Sequence, residues 1–360
     1  MGEVCLVPDG LECCVGQRQV LLRPSEDVDG RYLFYALQSP AVRHQILWNE
    51  GTGSTVSNVR IPILKDLKIP RRPGLEPAIG KLLALLDDKI ELNRQTNDTL
   101  EAMAQAIFRD WFVDFGPVHR KMAGAIDPVE IVGGVTANAA QAAELADLFP
   151  RKLGEQDQAW EAAPFLTLAK LISGGTPATD QANYWNGPIA WASAKDVSQC
   201  GEAFLIETER SITELGLLES STKIVSKHST VVVARGATTG RFCMFGRDIA
   251  MNQTCYGLGS RTGTPFWLNC AFRALVKDLV QSAHGSVFDT ITTATFENAT
   301  VVRPPDALLR AFEDLVQPLF GKILCNLEES QTLAETRDYL LPRLMSGEVR
   351  VGEAAKEIAA

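Results

Sequence analysis

Apolar residues recur at alternating spacings of four and three along two separate stretches of the chain. In the first, Ile79, Leu83, Leu86, Ile90, Asn93, Asn97, Leu100, Ala104, Ile107 and Trp111 keep that rhythm throughout. Moving each position 233 residues on lands at Phe312, Val316, Leu319, Ile323, Asn326, Ser330, Leu333, Arg337, Leu340 and Leu344, where the frame survives except at Arg337. A 3.5-residue period held over about five heptads predicts a coiled-coil seam. Each helix would span roughly 50 Å. Both seams turn polar at the same central place, Asn93 and Asn97 in one and Asn326 and Ser330 in the other. In an antiparallel pair these positions face one another. Polar seam residues lower stability but fix register and direction. The alternative is a seam that is locally exposed.

The chain also repeats itself outside these helices. GTGSTVSNVRIPILKDLKIPRRP (51–73) lies over AHGSVFDTITTATFENATVVRPP (283–305), matching Gly53 to Gly285, Ser54 to Ser286 and Pro73 to Pro305. GEVCLV at the start of the chain resembles GRFCMF at 240–245. Period-two and β-branched runs around these stretches predict strands. The expected order is a β-rich segment (1–75), a helical spacer (76–118), a linker (119–159), a second β-rich segment (160–305) and a second helical spacer (306–350). The linker contains GGVTANAAQAAELADLF, which reads as a flexible connection with one short helix at 139–148. About 80 residues precede GRFCMF in the second segment and none precede its counterpart in the first, so the first module reads as truncated at its N-terminus. The fold class is α+β, with β-rich modules alternating with two long, paired helices.

Composition sharpens this picture at two points. The net charge of −9 argues at first against a nucleic-acid partner. By segment, however, 1–75 carries +1 and 160–305 carries 0, while 76–159 carries −6 and 306–360 carries −4. The acidic excess therefore lies outside both β-rich segments, and a neutral module binds DNA if its basic residues share one face. The eight cysteines include no C-x-x-C pair and histidines number four, so zinc spacing is missing. Free, mostly core cysteines in a cytoplasmic protein are expected. No apolar run approaches the length of a membrane span, and the first thirty residues lack the pattern of a signal peptide.

No catalytic motif is present. The runs that hold a flipped base in amino-methyltransferases, a phosphate loop, H-E-x-x-H and G-x-S-x-G are all absent. GLEPAIGKL (74–82) is a near miss for the phosphate loop, with the wrong glycine spacing and Leu in place of Ser or Thr. The features that remain suit binding. ISGGTPATDQANYWNGPIAWASAKDV (172–197) carries Tyr184, Trp185 and Lys195 beyond a Gly/Pro turn. The tyrosine and tryptophan are core residues or base-stacking ones. STVVVARGATTGRF (229–242) is a buried strand ending in a loop with Arg235, Thr238, Thr239 and Arg241, donors suited to phosphates or guanine edges. Asn252 and Gln253 add amide groups, and His284 and Ser286 sit in a glycine turn. FRDWFVDFGPV (108–118) closes the first helix with four aromatics, for core packing or for a partner surface.

Together, GGTPATDQANYWNGPIAWASAKDV, RGATTGRFCMFGRDIAMNQTCYGL, GSVFDTITTATFENATVVRPP, AQAIFRDWFVDFGPV and LLPRLMSGEVRV resemble the specificity subunit of type I restriction–modification systems. The resemblance covers nearly the whole chain. It implies two target-recognition domains, each reading half of a split DNA site, held apart by two helical spacers that pair as an antiparallel coiled coil. It implies double-stranded DNA, methyltransferase subunits and restriction subunits as partners. It implies no cofactor and no catalysis in this subunit, since S-adenosylmethionine, ATP and magnesium belong to the partners. The shortened first domain points to a homodimer in which two copies of 160–305 read a symmetric site. A scaffold-like remnant that does not touch DNA is the competing reading, and a solitary nuclease or methyltransferase is a third.

Overall fold

A computed structural model of the chain describes residues 3–8, 10–17, 19–48, 60–153, 160–283 and 290–359. The chain forms two compact units, one of residues 1–94 with 328–360 and the other of residues 95–327. In the first unit an irregular stretch with turns leads to α1 (Gly30–Gln38), capped by Asp29, whose carboxylate accepts from the Tyr32 N–H at 2.8 Å. Then come α2 (Pro40–Trp48), α3 (Ile61–Asp66) and the long α4 (Glu76–Phe112). The second unit adds α5 (Gly116–Met122), α6 (Pro128–Ile131) and α7 (Ala139–Asp147) before the strands begin.

Those strands are β1 (Glu161–Pro164), β2 (Ala169–Ser173), β3 (Trp185–Ala192), β4 (Phe204–Leu205), β5 (Arg210–Ile212), β6 (Ile224–Val225), β7 (Thr230–Val233), β8 (Phe242–Phe245), β9 (Ile249–Met251), β10 (Cys255–Ser260) and β11 (Thr300–Arg303). Interspersed are α8 (Phe165–Leu168), α9 (Ala194–Gln199), α10 (Glu214–Leu218), α11 (Pro265–Ala283) and α12 (Thr293–Glu297). The long α13 (Asp306–Ser346) and α14 (Val351–Ala359) follow. The strands form a sheet in the order β2-β10-β7-β8-β4, a second in the order β5-β3-β9-β6, and the pair β1-β11.

The two long helices run antiparallel within each unit. In the second unit Asn326 Nδ2 donates to Asn97 Oδ1 at 2.9 Å, and Trp111 lies against Phe312 with ring centroids 6.2 Å apart. Advancing along α4 therefore means retreating along α13. In the first unit Asn93 Nδ2 donates to Ser330 Oγ at 3.2 Å and to Glu329 Oε2 at 2.8 Å. Arg337, which interrupts the apolar frame, has its own partner. Its guanidinium reaches Asp87 Oδ1 at 2.6 Å, and Tyr35 donates to the other oxygen of the same carboxylate at 2.6 Å. None of the twenty seam positions is exposed.

The internal repeat reappears as helices. Shifted along the chain, α3 falls on α12, α1 with α2 falls on α11, and α4 falls on α13. The strands do not follow. Among the described residues, 1–75 holds three helices and part of no sheet, against the β-rich expectation. The reason lies in pairing. In the second module β8, β9 and β10 never pair with one another, and their partners are β2, β3, β4, β6 and β7. Among the described residues the matching stretch near the start of the chain pairs with no strand, and an unpaired strand leaves its backbone groups to water. Leu6, Val7, Leu11, Val15 and Leu21 are accordingly exposed.

Two further expectations change. Residues 119–153 are not a loose connection. Val118, Ile131, Val132, Ala142, Leu145, Ala146 and Phe149 are buried in the core of the second unit. Arg120 makes a two-pronged pair with Asp110 at 2.9 and 2.7 Å, and Lys121 Nζ caps the end of α7 through the Ala146 and Phe149 carbonyls. The short helix read at 139–148 is α7. The cysteines are all free, but only Cys243, Cys255 and Cys270 are buried, while Cys5, Cys13, Cys14 and Cys325 are exposed. The first three exposed thiols lie in the stretch that forms no strand among the described residues.

The aromatics that close α4 are core. Phe108, Trp111 and Phe112 are buried, and Phe115 packs on Trp160 with centroids 4.8 Å apart. Nearby, Glu313 of α13 caps another helix. Its two carboxylate oxygens accept from the Phe266 and Trp267 N–H groups at 3.1 and 3.0 Å, two of the orphan donors at the start of α11. Burial pushes this carboxyl up to about 7. The folded chain then holds the proton more tightly than the unfolded one. The contribution to stability is complete below about pH 4.5 and declines as pH rises through about 7. Thermal denaturation between about pH 5 and 8 should show wild type losing on the order of 1–3 kcal/mol that Glu313→Gln does not lose. Parallel curves for the two proteins would exclude Glu313 as the titrating group.

Candidate nucleic-acid interface

Strand register gathers the loops that carry the candidate residues. β3 runs parallel to β9, with Ala192 opposite Met251, so both strands end together. After three intervening residues β10 begins, paired to β7 with Cys255 opposite Val233. The end of β9 is therefore also the end of β7. β8 starts there too, since Val232 faces Phe242, and β2 finishes there, since Ser173 faces Tyr256. β5 starts there as well, because Arg210 faces Trp191. One end of the second unit thus collects the loops after β2, β3, β7 and β9. Main-chain bonds tie them together. Asn252 N–H donates to Ala192 O at 3.0 Å, Gly175 N–H to Met251 O at 2.9 Å and Ala234 N–H to Thr254 O at 2.8 Å.

All seven candidate DNA-contacting residues lie in these loops or at their margins. Arg235 and Arg241 flank the β7–β8 hairpin, are exposed, and have no carboxylate partner among the described residues. Gly240, at φ +88°, turns the chain between them, and a Cβ there would meet a Val280 methyl at 2.4 Å. Thr239 Oγ1 donates to Gly236 O at 2.7 Å and Thr238 O accepts from the Arg241 N–H at 3.0 Å, so both threonines shape the turn. Lys195 sits in the first turn of α9, whose capping box joins Ser193 and Asp196. Its ammonium pairs with Glu209 at 2.7 Å, both ends exposed, and the pair holds its charge above the ordinary lysine range. Asn252 is half-buried and closes the turn, its Oδ1 accepting from the Thr254 N–H at 3.2 Å and from the Thr254 hydroxyl at 2.8 Å. Gln253 is exposed, with Oε1 accepting from the Thr176 hydroxyl. His284 and Ser286, with Gly53 and Ser54 of the repeat, lie outside the described residues.

Residues 160–336 match the family model of the type I restriction modification DNA specificity domain. These residues belong to that family. The chain is 25% identical over 358 residues to the type I restriction enzyme MjaIX specificity subunit of Methanocaldococcus jannaschii, a match covering 98% of this chain and 76% of that protein. It is 28% identical over 320 residues to the HindI specificity subunit of Haemophilus influenzae, covering 79% of this chain and 69% of that one. The fold is similar to the crystal structure of the type I restriction–modification S subunit from M. genitalium, with a TM-score of 0.50, 16% identity, and coverage of 88% of this chain and 73% of the other.

Within the specificity domain, Trp185 and Trp191 settle into the core, 7% and 4% exposed. Neither is available to stack on a base. Their indole N–H groups donate to Ala178 O and Gly175 O, each at 3.1 Å, and so pin the loop after β2. Two residues at this end of the domain were not legible beforehand. Thr176 reaches Gln253 across 77 residues of sequence. Arg210, in the run ETER, reads as an ordinary solvated charge until strand register places it over two tryptophans. Among the described residues no helix is long and apolar enough to cross a membrane.

Proposed function

We propose that the chain is the non-catalytic DNA-recognition subunit of a type I restriction–modification complex. In this reading 160–305 is a target-recognition domain, and 76–118 with 306–350 are helical spacers that hold methyltransferase and, through them, restriction subunits. The observation that supports it most is the gathering of Arg235, Arg241, Gln253, Lys195 and the two threonines at one end of a domain of the specificity family. Two arginines without carboxylate partners among the described residues, beside a hairpin, are suited to phosphate or guanine acceptors. The neutral net charge of 160–305 is no obstacle, since these donors lie together.

Co-expression with the methyltransferase subunit of the same locus, in a host without other methylases, tests this reading through a genome-wide map of methylated bases. A split motif is expected. An asymmetric one would mean two different reading modules, and a palindrome would mean two copies of 160–305. In the same assay Arg235→Ala should lower methylation of the motif several-fold or more. An unmethylated genome, with the complex assembled and soluble, would overturn the proposal.

A further inference from the structure

Arg210 is the first residue of β5 and lies directly across from Trp191 of β3, so both side chains stand on the same face of the sheet. Its guanidinium carbon sits 3.5 Å from the centroid of the Trp185 ring and 5.7 Å from that of Trp191. The two rings meet at 88° with centroids 5.2 Å apart, making a corner. Both are buried and fixed by their own hydrogen bonds to the loop after β2. The guanidinium thus sits over a fixed aromatic wall while the residue stays exposed.

An arginine stacked on an aromatic ring uses the face of the guanidinium and leaves the in-plane edge, with its five N–H donors, available to an acceptor. Among the described residues no acceptor engages that edge. Glu209 and Asp196, which meet through the Glu209 N–H, are engaged elsewhere. Glu209 holds Lys195 at 2.7 Å. Asp196 accepts from the Ser193 N–H and hydroxyl and from the Glu209 N–H. An ordinary surface arginine loses side-chain freedom when it docks on a ligand. This one is already ordered. It also lies one residue from the Ala192–Asn252 bond that marks the interface end of the domain.

We infer that Arg210 contacts duplex DNA, its ordered edge receiving a planar pair of acceptors, either two phosphate oxygens or O6 and N7 of a guanine. The inference rests on the DNA-recognition reading above. Arg210→Met keeps an apolar cover over the tryptophans and removes every donor. Arg210→Lys keeps the charge without the fork. The full chain, assembled with its methyltransferase partner, would be titrated with a duplex carrying the mapped motif and with a scrambled duplex over a range of salt.

Wild type must first bind with salt-dependent affinity, and its failure to do so would sink the DNA reading itself. Arg210→Met should then bind the motif about tenfold more weakly at an unchanged melting temperature, with Arg210→Lys in between. Equal weakening on both duplexes, with the salt slope shallower by about 0.9, assigns a phosphate. Weakening confined to the motif assigns a guanine. Wild-type affinity and slope in Arg210→Met, beside a wild-type protein that binds, would show that the arginine only covers the tryptophans and would overturn the inference.

Discussion

Trp111→Ala should cost the second unit about 3–5 kcal/mol, the range for removing a buried tryptophan side chain. Trp111 is fully buried among Phe149, Phe312 and Phe112, with ring centroids at 5.1, 6.2 and 6.2 Å. It joins three pieces of sequence: the end of α4, the segment after α7, and α13. Trp111→Phe should be far milder. The indole N–H has no acceptor among the described residues, so phenylalanine keeps much of the edge-to-face packing and removes an unpaired buried donor. Urea denaturation gives the magnitudes, and hydrogen exchange assigns the loss to residues 95–327. Equal costs for the two variants would mean that the ring contacts are not what holds this end of the helix pair.

Gly174→Ala should disable recognition at the interface end. A Cβ on Gly174 would stand 2.0 Å from Asn252 O and 2.6 Å from Met251 O, both backbone atoms with nowhere to retreat. The glycine is required by close approach and not by a left-handed backbone. Relief comes only by driving the loop after β2 away from the Asn252–Gln253 turn, with strain of about 1–3 kcal/mol. Motif methylation by the assembled complex should fall at least tenfold, while the helix pair of the first unit keeps its hydrogen-exchange protection. Gly201→Ala is the control, since nothing lies within 4 Å of a Cβ there. Wild-type methylation by Gly174→Ala would place the reading surface away from this end of the domain.

Both variants bear on how far the sequence could be read. The helices were legible because their bonds are local. Each N–H finds a carbonyl four residues back, so an apolar stripe every three or four residues reports the element and its buried face together. The seam positions from Ile79 to Trp111 and from Phe312 to Leu344, the helix at 139–147 and the repeat that carries α4 onto α13 all follow from that. The family resemblance was legible for a different reason, since it rests on short runs around turns, among them GGTP and RGATTG, whose backbone requirements restrict the residues allowed.

Partnership over long distances was not legible. β10 lies between β2 and β7, and nothing in its own six residues names either neighbour. For the same reason the strand-like residues near the start of the chain looked like part of a β module, although a strand exists only when another pairs with it. The segment 119–153 looked loose because its Gly/Ala composition hides the burial of Ile131, Leu145 and Phe149. Glu313 became a helix cap and Arg210 an ordered cation only through contacts made far along the chain. The sequence by itself determined the helices, their seam and the family resemblance of residues 160–336. Tertiary structure decided which donors are turned outward, because that depends on which acceptors the fold has already brought to them.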